Sequence, residues 1–430
     1  MIWKGITMIR VDESNVQNIN VESGWNDSED KELLMHTVHV YPAKFPAFIA
    51  TKAFLYAENE GVTVKKAADI FCGCGTVALE AKVHRKDFWG CDINPVATLI
   101  AKVKSSDYNT EYLERYYNAV AEGYENETIH EEYYNEANPR LKYWFTKTNF
   151  SNLYKLKAVI IKVVPKGIYR DAFLCLFSSI LKTTSRWLTK SIKPQVDPDK
   201  EEKNVWFVFQ NHFKKFYKAV VEMSKFPPNT SDIQILKCNF LEANDIPDVD
   251  LIISSPPYVT SYEYADLHQL STLWLQYADD YRELRKGSIG STYNSTEYLI
   301  DIESLNSVGK KIIEGLQTGQ KDTAKIRAVA RYYADMQKAV KKCAGMLNNG
   351  GMVFFVVGDT EYKGVQLLNS EHLIQSLRDE GFSDIKATKR TISKKLLTPY
   401  RDEAGKFSSN KKKRAIYHEE YIITGRMWKQ

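Results

Sequence analysis

Short apolar runs alternate with helix-like stretches over much of the chain. A short apolar run fits a strand that is buried on both faces, whereas apolar positions three and four residues apart fit a helix. The runs that fit strands lie at 69–71, 88–92, 233–238, 250–254 and 350–358. Helical patterns between them include 77–81 and 332–347. This alternation predicts an α/β, doubly wound sheet that binds its ligands at the carboxyl ends of the strands.

A glycine-rich turn follows the first of these strands. Gly73 and Gly75 tolerate positive φ and carry no Cβ, so the backbone there can approach a ligand closely at the start of a helix. Phe71 would add an aromatic face. The next strand ends at Asp92, roughly twenty residues on, where folds of this kind place a carboxylate that binds ribose hydroxyls. These residues predict a nucleotide-type ligand.

A stiff loop follows the run 250–254, with the sequence Ser255, Pro256, Pro257, Tyr258. The two prolines fix φ and remove two backbone donors, so the loop offers carbonyl oxygens as acceptors. The tyrosine ring can lie flat against a base. Such a loop suits an exocyclic amine that must be held by acceptors, although a proline pair after a strand is also ordinary turn chemistry.

With these motifs the chain resembles the S-adenosylmethionine-dependent DNA amino-methyltransferases, and the serine of its Ser-Pro-Pro-Tyr loop resembles the cytosine-N4 branch. The resemblance implies a catalytic role for the loop. It implies that the glycine turn binds the methionine part of the cofactor, that Asp92 binds ribose and that Asn239, where the family more often has Asp, meets the adenine. The upstream segment 36–46 resembles the one that covers the methionine end. The implied cofactor-binding residues are Tyr41, Lys44, Phe45, Asp69, Phe71, Gly73, Gly75, Thr76, Asp92 and Asn239.

The resemblance also implies a Rossmann-like methyltransferase sheet, mostly parallel, with an antiparallel last strand at 419–424 beside 382–392. The segment 106–231 interrupts the expected rhythm of short connections and predicts a largely helical inserted domain for target recognition, or else a purely structural cover. The catalytic domain would then comprise 1–105 and 232–430. A second, Ser-, Gly- and Asn-rich insertion near 285–325 predicts a flexible segment that closes over the substrate.

Composition is typical of an enzyme with a sizeable core. The chain has 430 residues, of which 43% are hydrophobic, and no stretch is apolar and long enough for a bilayer or a signal peptide, so a cytoplasmic location is expected. The six cysteines have neither disulfide nor zinc spacing, and His36 and His39 lack partner ligands, so no metal is expected. A Pro-Cys step, the usual setting of the thiolate in C5-cytosine methylation, does not occur.

Net charge is only +5, so a nucleic-acid footprint must be local. Residues 386–414 contain eleven basic and two acidic side chains. This cluster precedes the last predicted strand, which would bring it to the ligand edge of the sheet, where phosphates would lie. A solvated loop is the alternative interpretation.

These features predict a site-specific DNA methyltransferase that acts on a cytosine rotated out of the duplex. The base would stack on Tyr258, and its N4 amine would be held by the Ser255 hydroxyl and the Pro256 carbonyl. Double-stranded DNA is the expected partner, with a cognate restriction endonuclease as a candidate second one. The alternatives are an adenine-N6 enzyme, an RNA amino-methyltransferase and a non-catalytic nucleic-acid-binding subunit.

Overall fold

The computed structural model describes residues 7–12, 16–26, 31–42, 44–128, 132–228, 230–259, 263–291, 302–319, 323–392, 400–401, 414–415 and 419–429. The strands are β1 Ile9–Arg10, β2 Lys66–Asp69, β3 Asp87–Asp92, β4 Ile233–Lys237, β5 Val249–Ser254, β6 Leu347–Val357, β7 Thr360–Tyr362, β8 Val365–Leu367, β9 Ser383–Thr391, β10 Tyr400–Arg401, β11 Arg414–Ala415 and β12 Glu419–Met427. The helices are α1 Ala47–Asn59, α2 Thr76–Val83, α3 Pro95–Ser105, α4 Thr110–Asn126, α5 Glu132–Glu136, α6 Pro139–Trp144, α7 Lys147–Val163, α8 Ile168–Thr184, α9 Val205–Met223, α10 Tyr264–Leu267, α11 Gln269–Trp274, α12 Ser307–Gly319, α13 Thr323–Met346 and α14 Asn369–Asp379.

Eight strands form one sheet in the order β1-β9-β12-β6-β5-β2-β3-β4. The strands β6, β5, β2, β3 and β4 are parallel to one another. Strand β12 lies between β6 and β9 and runs antiparallel to both. This order confirms the predicted Rossmann-like methyltransferase sheet, including the reversed last strand and its partner at 382–392.

The apolar run of β6 shows why the central strands read as continuous hydrophobic sequence. Val353, Phe355 and Val357 point into one core cluster, which α13 and α14 cover. Met352, Phe354 and Val356 point into another, on the side of α1 and α2. Since successive strand residues face opposite sides, a strand with helices on both faces has no polar side.

Helices α4 to α9 lie between β3 and β4 in the chain, within the segment predicted as a helical insertion. Their buried residues form a third core cluster with α3 and α11. The helix α11 follows the loop that begins at Ser255, so the chain after that loop is built into the helical cluster. The division into catalytic and target-recognition domains stays a prediction.

The second predicted insertion is described only in part. Residues 292–301 and 320–322 lie outside the described residues, but α12 occupies much of the remainder. Ile312, Ile313 and Leu316 of this helix are buried in the sheet's core. These three apolar residues have helical spacing, and the flexibility of the segment and its closure over the substrate stay predictions.

Candidate functional site

The glycine turn and the Pro-Pro-Tyr loop meet at the carboxyl edge of the sheet, because β2 and β5 are neighbours there. The Ser254 hydroxyl, at the end of β5, donates a hydrogen bond of 2.6 Å to Oδ1 of Asp69 at the end of β2. Ser254 is 0% exposed and Asp69 is 4% exposed. Burial raises the pKa of Asp69 to about 7, although the hydrogen bonds from Ser254 and from the Phe71 amide lower it. The two predicted loops are therefore joined directly.

The glycine turn has the geometry that its sequence predicts. Gly73 and Gly75 have φ of +48° and +72°. A Cβ on Gly75 would lie 2.6 Å from Cβ of Ala101, on α3, so the turn passes against that helix too closely for a side chain. Thr76, which is buried, then begins α2. The Gly75 amide donates to the Cys72 carbonyl at 2.9 Å, so the turn at the start of this helix is closed by its own backbone.

Asp92 is tied to this turn at the end of β3. Its Oδ2 accepts a hydrogen bond of 2.9 Å from the Gly73 amide, and its Oδ1 accepts one of 2.8 Å from the Asn94 amide. Burial raises the pKa of the carboxyl, whereas the two amide donors lower it. Each carboxylate oxygen can accept a further hydrogen bond. The side chain is half-buried, so it can still meet ligand hydroxyls.

Tyr41 lies over the glycine turn, where Cε1 of its ring is 3.7 Å from the position of a Cβ on Gly73. The ring stacks on that of His268, with centroids 4.9 Å apart and planes at 25°. His268 precedes α11 and is 4% exposed. Burial lowers the pKa of His268 to about 3, so its ring is neutral. Among the described residues, its Nε2 has no hydrogen-bond partner.

The other predicted residues of the upstream segment have different neighbours. Nζ of Lys44 lies 2.6 Å from Oε1 of Glu32 in an ion pair. Phe45 packs against the core cluster that contains Trp25 and Phe54. Their roles in cofactor binding stay predictions.

The Pro-Pro-Tyr loop ends in a fixed tyrosine ring. Ser255 is half-buried and Pro256 is buried. The Tyr258 hydroxyl donates a hydrogen bond of 2.5 Å to Oε1 of Glu420 on β12. Cε1 of the ring lies 3.1 Å from the position of a Cβ on Gly358, which directly follows β6. Burial, reinforced by the Glu420 charge, raises the pKa of the Tyr258 hydroxyl well above its usual value.

Asn239 lies just beyond β4, where its side chain is bonded locally. Its Oδ1 accepts from the Leu241 amide at 3.0 Å, and its Nδ2 donates to Oε1 of Glu242 at 3.0 Å. A Cβ on Gly287 would lie 3.0 Å from Cδ1 of Ile93 and 3.7 Å from Nδ2 of Asn239. The segment around Gly287 therefore lies beside the ends of β3 and β4, next to the predicted adenine position.

Sequence reasoning missed four residues that shape this site: His268, Gly358, Arg390 and Glu420. Arg390 lies within the basic cluster 386–414 and Glu420 within the last predicted strand, but neither was predicted to have a role in the site. They are directly paired across β9 and β12, and Nε of Arg390 lies 2.9 Å from Oε2 of Glu420. Opposite charges at matched positions of two antiparallel strands were the available signal.

The basic cluster at 386–414 is described only at its beginning and at two short strands. Lys386 forms an ion pair of 2.5 Å with Glu60. Nζ of Lys389 donates to the Gln17 carbonyl at 2.9 Å. Residues 393–399 and 402–413 lie outside the described residues. The first three cations of the cluster, Arg390 included, therefore have partners within the protein.

The histidines of the upstream segment bond to protein groups. Nε2 of His36 pairs with Glu80 at 2.8 Å, and Nε2 of His39 contacts the Ser178 hydroxyl at 3.0 Å. In the described part of the chain, no group of three or more His, Cys, Asp or Glu side chains is arranged to hold a metal ion. Over the same residues, every helix is too short or too polar to span a bilayer.

Comparison with known proteins finds a relative of similar length. The chain is 24% identical over 379 residues to the type II methyltransferase M.MvaI of Kocuria varians, covering 82% of this chain and 82% of the relative. No protein-family model matches the chain.

Solved structures give weaker matches. An rRNA methyltransferase, aviRa of Streptomyces viridochromogenes, aligns with a TM-score of 0.30 and 8% identity over 92% of this chain and 90% of its own. An S-adenosylmethionine-dependent O-methyltransferase of Thermotoga maritima aligns with a TM-score of 0.30 and 10% identity over 93% and 72%. Such scores carry no argument about the fold, which rests on the strand order and the reversed β12. The strand order of the sheet and the sequence similarity support the assignment of this chain as a methyltransferase.

Proposed function

We propose that this chain is an S-adenosylmethionine-dependent DNA methyltransferase that methylates the N4 amine of a cytosine rotated out of the duplex. The observation that carries the proposal is the junction between the glycine turn and the Pro-Pro-Tyr loop. Asp69 and Ser254 are 185 positions apart in sequence, yet their side chains are hydrogen-bonded at the carboxyl edge of the sheet. This is the edge where doubly wound sheets bind ligands.

The residues around the turn fit the cofactor by their chemistry. The backbone of Gly73 and Gly75 leaves room for a ligand's methionine part, and the Tyr41 ring lies over it. The Asp92 oxygens keep acceptor capacity for two ribose hydroxyls, and Asn239 supplies an amide near the predicted adenine position. When bound, the cofactor supplies a methyl group on a positively charged sulfur. Aromatic faces such as that of Phe71 favour a cation.

The loop then acts on the target amine. Ser255 Oγ and the Pro256 carbonyl accept hydrogen bonds from the two N4 hydrogens, which localises the nitrogen lone pair and directs it at the methyl carbon. As the new N–C bond forms, the bond between the methyl carbon and sulfur would break and leave a neutral thioether. The methylated nitrogen, positively charged at that point, would then release one proton to solvent. Preorganised acceptors and positioning supply the rate acceleration, with Tyr258 stacked on the base. In this proposal the chain's residues form no covalent bond to the base.

Double-stranded DNA enters the proposal through the family resemblance and through similarity to a type II methyltransferase. A cognate restriction endonuclease and a cytoplasmic location belong to the same proposal. The choice of cytosine rests on the Ser255 position, since an adenine-N6 enzyme would use the same loop with a different first residue.

The proposal is tested by expressing the chain in a methylation-deficient bacterial host and identifying modified bases in the genomic DNA. We expect 4-methylcytosine in a single sequence motif. The Ser255→Ala variant should lower the methyl-transfer rate by roughly 10²–10³-fold, the scale for removing one preorganised hydrogen bond at a reacting centre, without weakening cofactor binding. Ser224→Ala is the matched control, because Ser224 directly follows α9 and its exposed hydroxyl donates to the Val221 carbonyl of that helix at 3.0 Å.

The other outcomes each contradict a part of the proposal. Detection of 6-methyladenine would establish the adenine-N6 alternative. Unmodified DNA together with intact cofactor binding would rule out DNA as the substrate of the chain acting alone and direct the search to RNA or to a required partner. Failure to bind S-adenosylmethionine would leave the non-catalytic alternative.

A further inference from the structure

We propose that the buried Arg390–Glu420 ion pair positions the ring of Tyr258 for stacking on the target base. This inference rests on the proposed function, because it assigns a purpose to the tyrosine of the Pro-Pro-Tyr loop. Arg390 and Glu420 are positioning residues, since they act through Tyr258 and do not touch the base themselves.

The ion pair is built into the sheet. Arg390 on β9 and Glu420 on β12 are direct cross-strand partners, and their side chains are only 4% and 12% exposed. Removing two opposite charges from water costs free energy that offsets much of their attraction, so a pair at this depth is a poor way to stabilise a sheet. An ion pair at this depth is better explained by its effect on a third group, the Tyr258 hydroxyl, than by its contribution to stability.

Glu420 divides its two oxygens between two partners. Oε2 accepts from Nε of Arg390 at 2.9 Å, and Oε1 accepts from the Tyr258 hydroxyl. Arg390 is itself held, because its Nη1 lies 3.4 Å from the Trp25 carbonyl and its guanidinium lies 5.8 Å from the centroid of the Phe48 ring. The orientation of the carboxylate, and with it that of the tyrosine hydroxyl, is therefore fixed from the N-terminal segment.

Gly358 constrains the same ring at a second point. A Cβ at this position would lie 3.1 Å from Cε1 and 3.6 Å from the hydroxyl oxygen of Tyr258. The ring is thus held at its hydroxyl by Glu420, and its edge lies so close to Gly358 that a side chain at that position would have to displace it. Two contacts on a ring attached to a stiff loop leave it little rotational freedom, which lowers the entropy lost on stacking against a base.

A comparison of three variants tests this arrangement: Tyr258→Phe, Glu420→Ala and Glu420→Gln. The measurements are the single-turnover methyl-transfer rate, the Kd for S-adenosylmethionine and the thermal midpoint. Tyr258→Phe keeps the ring and removes one oxygen, so it reports on positioning even if Glu420→Ala does not fold. Glu60→Gln is the matched control, because Glu60 forms an ion pair of 2.5 Å with Lys386 on the same strand as Arg390.

We expect Tyr258→Phe and Glu420→Ala each to lower the rate roughly tenfold, the scale for losing one hydrogen bond to a charged group. The Kd should not change. A double variant that combines Tyr258→Phe with Glu420→Ala should be no slower than the slower of these two single variants, since each substitution removes the same hydrogen bond. Glu420→Gln, whose amide can still bond the hydroxyl, should recover most of the rate.

Three outcomes would overturn the inference: an unchanged rate in Tyr258→Phe, multiplicative losses in the double variant, or an equal loss in Glu60→Gln. A wild-type protein that methylates no DNA would instead contradict the proposed function. Since the wild-type rate is measured first, the two failures are distinguishable.

Discussion

His268 contributes to the site as a neutral aromatic ring. Its pKa, lowered by burial to about 3, keeps it uncharged at every pH at which the protein would work. It stacks on Tyr41, which lies over the glycine turn. An imidazole that cannot take up a proton is a support for Tyr41 and not an acid or base.

Replacing this ring should therefore affect cofactor binding. We expect His268→Ala to raise the Kd for S-adenosylmethionine by about 3- to 10-fold, corresponding to the 0.5–1.5 kcal/mol of an aromatic pair, whereas His268→Phe should bind like the wild type. Titration calorimetry at about pH 6 and about pH 8 would measure both, with no pH dependence attributable to this residue. Equal weakening by Ala and Phe would show that the imidazole nitrogens matter.

Sequence alone predicted some of these residues and not others, for a physical reason. Gly73, Gly75 and Asp92 lie within one strand-turn-helix unit and the strand after it, where local spacing carries the signal. Glu420 acquires its role only through contact with a loop 162 positions away, and His268 only through stacking on Tyr41. Contacts between distant segments follow from register and packing, which the sequence pattern does not specify.

At the scale of elements, the glycine turn depends on the close approach of α2 and α3. Gly75 directly precedes α2 in a left-handed conformation, and a Cβ there would lie 2.6 Å from Cβ and 2.7 Å from Cα of Ala101. Both the backbone angle and the packing therefore require glycine. Gly61 has φ of +81° but no atom within 4 Å of the place where a Cβ would lie, so it has the same angular requirement without the contact.

Gly75→Ala and Gly61→Ala separate these two requirements. We expect Gly61→Ala to lower the free energy of unfolding by about 1–2 kcal/mol, the cost of a left-handed alanine. Gly75→Ala should lower it by about 2–5 kcal/mol, because overpacking adds its own cost. Urea denaturation measures both, and equal losses would show that α3 moves aside freely.

The elements themselves were predicted well where hydrophobic periodicity dominates. The run at 350–358 became β6, because a strand buried on both faces of a sheet must be apolar. The reversed strand β12 begins with two glutamates and was expected from the family resemblance. The helix α12 was not predicted; it lies in the segment expected to be flexible, and that flexibility stays a prediction. The apolar residues of α12 are separated by many polar ones, which makes the helical pattern hard to recognise in the sequence. Packing of these apolar residues in the core of the sheet stabilises the helix.

At the scale of the whole molecule, the carboxyl edge of the sheet and the helical cluster are connected by hydrogen bonds and shared packing. Gln269, the first residue of α11, accepts hydrogen bonds from Nε of Arg140 at 2.7 Å and from Nε1 of Trp144 at 2.9 Å. Cys74 and Leu79, from the turn and α2, belong to the same core cluster as the helices. Movement of the helical cluster would therefore reach both predicted loops.

Global stability should depend on pH through Asp69, because burial at the end of β2 raises the pKa of its carboxyl. Asp69 has a folded pKa of about 7 against an ordinary value of 3.8, so the folded state binds the proton more tightly than the unfolded state. Its contribution is fully present below about pH 4 and is lost as pH rises to about 7. Asp69→Asn removes this titration and keeps an oxygen that accepts from Ser254.

We expect the unfolding free energy of the wild type, relative to Asp69→Asn, to fall with increasing pH by up to about 1.4 kcal/mol per unit between about pH 4 and about pH 7, and to level off above. Denaturant titrations across this range measure the difference. Parallel curves for the two proteins would show that Asp69 is ionised throughout.

The position of β12 has a consequence for biosynthesis. This strand comes late in the chain, yet it lies inside the sheet and carries Glu420. A nascent chain on the ribosome holds the glycine turn and the Pro-Pro-Tyr loop long before β12 emerges, with the edges of β6 and β9 still unpaired. A chaperone that binds the nascent chain would therefore encounter a sheet with unpaired strand edges. Tyr258 would lack its carboxylate partner until translation had passed residue 420.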